Sequence, residues 1–371
     1  MTDRIEGIDP RLEMLSSEPL VLQTPMGLLA GRRTTDPSVL FVRNCQDLPS
    51  AMTMGPMPLD DWHIELAGLI RPGRLVIRAA DLLEMEQVEL EMVLQCAGNG
   101  RTMYRGVPGT RWGLGGVGNV RFGGVPLAAV LARHGVELDP RVRFVTARAR
   151  QDPGATDQPA FEHSLPVGDV LERSILALTL DGKPMPGIHG GPVRLVTPGY
   201  FGTMQVKWLG GVRFETVESP THYHASEYRV PHGRVEPGDG FRFTLENSRP
   251  TWSLRLTSLI LDPPPGAVVP GDVTVRGVAF NDGSAALESV LVSVDRGETW
   301  KEARLRPPGS PYAWYPWSLR THLQGGTSEI WARAVDALGR TQPMDGSVHW
   351  NPNGYEWAGV AKVEVRVDAG A

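Results

Sequence analysis

Apolar positions along this 371-residue chain seldom keep a helical rhythm. They fall instead into short, β-branched, alternating runs such as "RVRFVTAR", "GPVRLVTP" and "VKWLGGVRFETV", which predict strands. "VELEMVLQ" reads the same way, and helical spacing is confined to a few stretches, among them "PLAAVLARHG" and "LPVGDVLERSILAL". Residues 90 to about 245 therefore predict an α+β unit. The pattern changes at "LTSLILDPPPGAVVPGDVTVRGVAFNDG", where three prolines and a Pro-Gly-Asp turn precede strongly alternating strands. Beyond it "VTVRGVAF", "LESVLVSVD", "WKEARL", "WYPWSLR", "SEIWARAVDALGR" and "KVEVRVD" recur with turn signals and no helix between them. That spacing predicts an all-β sandwich of roughly 100 to 120 residues, close to the immunoglobulin-like size. The boundary falls at about 247 to 255.

Composition narrows the class. The length suits two domains, and the 43 Gly and 32 Pro, spread without internal repeat, favour short elements and long connections. Hydrophobic residues make up 41% and charged residues 21%, and no run approaches the roughly 18 apolar residues of a membrane span. A net charge of -5 argues against nucleic acid as a partner. The N-terminal "MTDRIEGIDPRLEML" has no apolar signal core, and no apolar run follows Arg32-Arg33. The expected location is cytoplasmic; the mature form of an exported, periplasmic protein would read the same.

Only two cysteines occur, in "FVRNC" and "LQCAGNGR", with no CxxC pair for zinc and no disulfide framework. Cys96 follows a strand-like run and precedes Ala-Gly-Asn-Gly, which lets the backbone turn with little side-chain bulk. A thiolate at that strand tip, with Arg101 lowering its pKa and attracting an anion, suits a soft or high-valent metal acting on an oxyanion. A cysteine hydrolase is the other reading, with its base among His163, His189, His222 and His224.

"FVRNC", "LQCAGNGR", "RWGLGGVGNVRFGGVPL", "HGGPVRLVTPGYFGTMQVKWLGGV" and "WNPNGYEWAGVAKVEV" resemble, in order and character, the sulfite oxidase family of molybdenum enzymes over residues 40 to 365. The resemblance implies an N-terminal extension (1–39), a molybdopterin-binding catalytic domain (40–247) and an immunoglobulin-like dimerisation domain (248–371). It implies that Cys96 is the one protein ligand to molybdenum, with Arg43, Arg101, Tyr228 and Trp112 at the substrate. It further implies a molybdopterin shell of Phe41, Arg43, Asn44, Cys45, Asp152, His189, Arg194, Gln205, Val206 and Lys207, with Gly202 near the phosphate. Cys45 replaces the family's histidine, and a thiol is a weak donor without an imidazolium's charge. Asn353, in Trp350-Asn351-Pro352-Asn353-Gly354, replaces a substrate-binding arginine; losing such a cation costs about 1.5–3 kcal/mol, or roughly tenfold to a hundredfold in binding a dianion.

The reading that follows is oxidation of sulfite, or a related small sulfur oxyanion, to sulfate by a homodimer. No haem-binding or flavin-binding segment is recognised, so a cytochrome or small redox protein is expected to take the electrons. Reduction of nitrate or a sulfoxide on the same fold is the enzymatic alternative. A cofactor-free β-sandwich binding protein is the rival from another class.

Overall fold

The computed structural model describes residues 5–45, 51–151 and 159–368, and strands dominate it. In the N-terminal unit the strand Val88–Gln95 pairs along its whole length with Val117–Pro126, which in turn pairs with Ile175–Leu180. That close approach needs a glycine: a Cβ on Gly124 would stand 2.1 Å from the Leu176 carbonyl oxygen. A second sheet runs in the order Glu162–Pro166, Phe144–Ala149, Leu209–Glu215, His63–Gly68, Arg74–Arg78. Its Leu209–Glu215 and His63–Gly68 strands are parallel. Ile64, Val93, Val117, Val145, Leu195 and Phe214 belong to one apolar core shared by the two sheets. Burial of the alternate positions read from the sequence thus fixes strand register.

Helix is scarcer than the sequence pattern suggests. Among the described residues the α-helices are Leu127–Arg133 and Val167–Arg173, each 7 residues long. The expected helix over "LPVGDVLERSILAL" stops at Ser174, and Ile175–Leu180 is a strand. Pairing on both sides, with Val117–Pro126 and with Arg194–Val196, overrides the local helical spacing there. Residues 5–39 are also no loose appendage. Leu20–Gln23 pairs with Val42–Arg43, the Pro37 carbonyl lies 2.9 Å from His189 Nε2, and Trp314 Nε1 donates to the Arg33 carbonyl at 3.0 Å.

The C-terminal unit consists of two sheets facing one core. One runs Thr257–Asp262, Asp272–Phe280, Tyr315–His322, Arg304–Leu305; the other runs Val268–Val269, Ala361–Val367, Gly326–Asp336, Leu287–Ser293, Lys301–Glu302. Val275 and Trp317 from the first pack with Val290, Ile330, Ala332 and Val365 from the second. Before the last strand, residues 350–357 leave this sandwich and cross to the N-terminal unit.

Charge ties that segment to residues 249–255, where the two units join. Glu356, 2% exposed, accepts from Arg249 at 2.9 and 2.8 Å and from Arg255 Nε at 2.8 Å. Its own backbone N–H donates to the Ala97 carbonyl at 2.9 Å, on the turn after Cys96. Glu356 has a left-handed φ of 60°, a strained conformation for a residue with a Cβ, and its ion pairs hold it there. We predict that Glu356→Gln lowers stability by about 2–3 kcal/mol, since it removes charge-assisted bonds from two partly solvated arginines. Urea unfolding should show a lower midpoint at unchanged slope, and an unshifted midpoint would remove the ion pairs from this role.

Candidate active site

The turn 97–100 brings its neighbours close because it lacks bulk. Gly100 has φ +81°, and a Cβ there would lie 2.6 Å from Trp357 Cδ1. A Cβ on Gly98 would meet the Arg101 guanidinium at 3.1 Å and Trp112 Cδ1 at 3.2 Å. Cys96 is fixed on the wall of the adjoining cavity by its own N–H, which donates to the Gly116 carbonyl at 2.8 Å. At 9% exposure the thiol is enclosed, not at an exposed strand tip as the sequence suggests, because residues 354–357 cover the turn. Burial pushes the Cys96 thiol up, against the pull of Arg43, the Gly98 N–H and Arg101. The expected depression by Arg101 is thus outweighed in the protein alone.

One cavity collects most of the candidates: Phe41, Arg43, Asn44, Cys45, Cys96, His189, Arg194, Gly202, Gln205, Lys207 and Tyr228 all line it. Its floor is cationic. Lys207 Nζ donates to Asn44 Oδ1 and to the Ile188 carbonyl, both at 2.7 Å. Arg194 donates to the carbonyls of Gln205 and His189, at 2.9 and 3.1 Å. Among the described residues neither cation has a carboxylate partner. Burial accordingly pulls Lys207 well below its ordinary range and Arg194 down to about 9, and with the Lys207 charge it takes His189 down to about 3. Gln205 Oε1, also buried, has no hydrogen-bond partner. Desolvated cations and an orphaned acceptor are what an anion with hydrogen-bond donors would satisfy.

At the other wall Tyr228 stacks on Tyr355, centroids 5.4 Å apart, and its phenol oxygen lies 2.9 Å from Cys45 Sγ. Burial, reinforced by Cys45, lifts the phenol well above its usual pKa, so it stays a donor. Tyr228 ends a one-turn π-helix, Tyr223–Glu227, and its N–H donates to the Tyr223 carbonyl at 3.0 Å. Arg43 faces this pair. Burial alone would lower its pKa, yet Cys45, Tyr228, Cys96 and Tyr355 together hold it above its ordinary value.

Four of the expected residues are not among those that line the cavity. Arg101 does not line the cavity: its guanidinium stacks on Tyr355 at 4.8 Å and donates to the Gly354 and Thr110 carbonyls at 3.4 and 3.2 Å. Trp112 is 1% exposed and meets Phe41 edge-on at 5.8 Å, so it supports a cavity wall from behind. Val206 is buried between elements, and its carbonyl accepts from Leu195 N at 3.0 Å. Asn353, at the position that the resemblance gives to a substrate-binding arginine, uses its side chain on backbone carbonyls. Its Nδ2 donates to the Glu227 carbonyl at 2.7 Å and to the Ser226 and Arg229 carbonyls at 3.4 Å, clasping the turn that presents Tyr228. Asp152 lies outside the described residues. Sequence reasoning missed Leu94, Ala149, Phe161, Thr203 and Trp208 on the cavity wall. Trp208, beside Lys207, was within reach through its neighbour; Thr203 and Phe161 have no spacing that marks them.

Comparison with known proteins agrees with this layout. Residues 53–223 match the model of the oxidoreductase molybdopterin binding domain, and residues 248–368 that of the Mo-co oxidoreductase dimerisation domain. Sulfite oxidase of Gallus gallus is 32% identical over 362 residues, 93% of this chain and 76% of that protein. Mitochondrial sulfite oxidase of Drosophila melanogaster is 30% identical over 376 residues, 96% of this chain. The chain spans 63% of that protein's length, and 66% of the mouse protein's. In fold it is similar to the sulfane dehydrogenase SoxCD from Paracoccus pantotrophus, with TM-score 0.78 and 24% identity, covering 97% of this chain and 87% of that one. With a 32% identical relative matched over most of both chains, and with the two domain models in the same order, the chain belongs to the sulfite oxidase family of molybdenum oxidoreductases.

Proposed function

We propose that this protein holds molybdenum–molybdopterin in the cavity beside Cys96 and oxidises sulfite, or a related small sulfur oxyanion, to sulfate. The observation that carries the reading is the convergence, in one cavity, of a buried thiol, desolvated cations without carboxylates and the unpartnered Gln205 Oε1. Among the described residues no group of three His, Cys, Asp or Glu side chains comes together to hold a metal. A metal at Cys96 would therefore need its remaining donors from the cofactor.

The residues divide the work by chemistry. Cys96 would supply the thiolate ligand; Lys207 and Arg194 would neutralise the cofactor's phosphate, and Gln205 Oε1 would accept from a pterin N–H. When bound, the cofactor supplies two-electron oxygen-atom transfer to sulfur. Arg43 orients the anionic substrate, and the phenol of Tyr228, kept protonated by burial, donates to it. Arg101 acts through the Tyr355 ring and the Gly354 carbonyl, as a positioning residue. Electrons leave to a separate one-electron acceptor, a cytochrome or small redox protein. The C-terminal sheets are read as an immunoglobulin-like sandwich that pairs two chains, as the matched dimerisation domain suggests. The two unbridged cysteines suit a reducing compartment such as the cytoplasm, and among the described residues no helix is long and apolar enough to cross a membrane.

Three measurements test this reading. Protein expressed in a molybdopterin-producing host should contain about one molybdenum and one pterin per chain and turn over sulfite with ferricyanide; turnover of nitrate instead would select the reductase. Cys96→Ser should lose more than ~90% of that turnover, a barrier increase above ~1.4 kcal/mol, while keeping its fold by circular dichroism. Asn353→Ala should lower kcat about tenfold with KM for sulfite within about twofold, because it loosens the Tyr228 turn and touches no anion site; a KM effect alone would return residue 353 to substrate binding.

pH gives the third. His189 in the cofactor-free protein sits at about 3 against 6.5 unfolded, so below 6.5 the unfolded chain binds the extra proton. Stability attributable to His189 is intact above about 6.5 and is lost as pH falls toward 3, at up to ~1.4 kcal/mol per pH unit. Thermal unfolding of cofactor-free His189→Gln should show a shallower decline between pH 6.5 and 4 than the parent; equal slopes would contradict the assignment.

A further inference from the structure

Behind the cavity wall runs a line of buried polar side chains that none of the roles above employs. Thr203 lines the cavity, and its Oγ1 lies 3.2 Å from His163 Nε2. His163 Nδ1 is 3.2 Å from His224 Nδ1, and His224 Nε2 is 2.9 Å from Glu218 Oε2. Both imidazoles are fully buried, whereas the Glu218 side chain is 16% exposed. The line therefore starts at the cavity and ends at solvent.

The direction of its hydrogen bonds is set by the backbone. Ser164 N–H, which can only donate, points at His224 Nδ1 from 3.3 Å. That nitrogen is consequently an acceptor, and the neutral ring has its proton on Nε2, donated to Glu218. His163 must then donate from Nδ1 to His224, which leaves Nε2 to accept from the Thr203 hydroxyl. Every donor points outward. The other charged groups facing the line are Arg229, whose Nη1 donates to Glu218 Oε2 at 2.6 Å, and Glu162. Burial keeps both rings neutral at rest, His163 far below its usual range through burial and His224, and His224 lower through burial, so each can accept a proton.

We propose that Thr203, His163, His224 and Glu218 form a proton relay that exports a proton released in the cavity during turnover. The relay rests on the sulfite reading for the source of that proton. In that reaction sulfite and water give sulfate, two protons and two electrons, and the electrons pass to the one-electron acceptor. One proton arrives on Thr203 Oγ1 as the hydroxyl hydrogen moves to His163 Nε2. The Nδ1 proton of His163 moves to His224 Nδ1, and the Nε2 proton of His224 to Glu218. Arg229 stabilises the Glu218 carboxylate, which releases the proton to solvent. The Ser164 N–H opposes a proton resting on His224 Nδ1, so the starting polarity is the stable one between turnovers.

The relay makes a claim about tautomers and a claim about rate. Nitrogen-15 spectra of the histidine side chains in the cofactor-loaded protein should place the His224 proton on Nε2 and the His163 proton on Nδ1. A His224 proton on Nδ1 would overturn the polarity, and this readout holds whichever substrate the enzyme uses. With sulfite and ferricyanide, His163→Ala should lower kcat about a hundredfold, the lower end of what a proton-transfer group contributes. KM should stay within about twofold, and dissolved imidazole should restore part of the rate. Full activity in His163→Ala, or a loss that imidazole does not restore in a fully molybdenum-loaded protein, would overturn the relay. If wild-type protein fails to oxidise sulfite, the functional reading falls, and the tautomers still decide the relay's polarity.

Discussion

The contact on which the site depends is the seating of Glu356 between Arg249 and Arg255. It ties the segment 353–357 to residues 249–255 at the start of the C-terminal unit, where Ser248–Pro250 pairs with Arg229–Pro231 of the N-terminal unit. From that one anchored residue the rest follows in register: the Glu356 N–H takes the Ala97 carbonyl, Tyr355 stacks on Tyr228, Trp357 covers Gly100, and Asn353 clasps the Tyr228 turn. Both units thus contact the cavity's tyrosine, Cys45 and Phe161 from one and Tyr355 from the other. A carboxylate that joins two arginines resists loosening, because removing it strands two charges at once.

The second constraint is positive charge without acid partners. Lys207 and Arg194 are met by carbonyls of Ile188, His189 and Gln205, dipoles that offset part of the desolvation cost and leave the net charge in place. A fold that keeps such a cluster sacrifices stability in the absence of an anion. That is the expected signature of a binding site, as distinct from a structural ion pair. The same logic explains the single orphaned Gln205 oxygen among hydrogen-bonded neighbours.

Much of this was legible in the sequence where residues act through their own neighbours. "LQCAGNGR" placed a thiol and a turn, "HGGPVR" and "QVKWL" placed the cations, and the alternating runs placed the C-terminal strands. Direction was not legible. Arg101 turns away from the cavity because the Tyr355 ring, 254 residues on, offers a face to stack on. Ile175–Leu180 becomes a strand because partners on both sides outweigh local spacing. Thr203, His163, His224 and Glu218 come from a 3-10 turn, a strand, a π-turn and a loop, and only the packed structure lines them up.

The two departures from the family pattern, Cys45 and Asn353, read in sequence as separate losses of a donor and a cation. In the structure they converge on one side chain. Cys45 Sγ touches the Tyr228 hydroxyl, and Asn353 holds the carbonyls on either side of Tyr228, with Arg229 O beyond it and Glu227 O before it. An amide suits that task where a guanidinium does not: its short side chain donates to a cluster of carbonyls at close range without bringing a further charge near Arg101, which donates to the adjoining Gly354 carbonyl. A thiol likewise leaves the tyrosine hydroxyl a soft, weak partner that does not compete strongly for its proton. Both side chains thus meet Tyr228 itself or the backbone on either side of it. On the proposed reading the anion's charge falls to Arg43, whose pKa is raised by the groups around it.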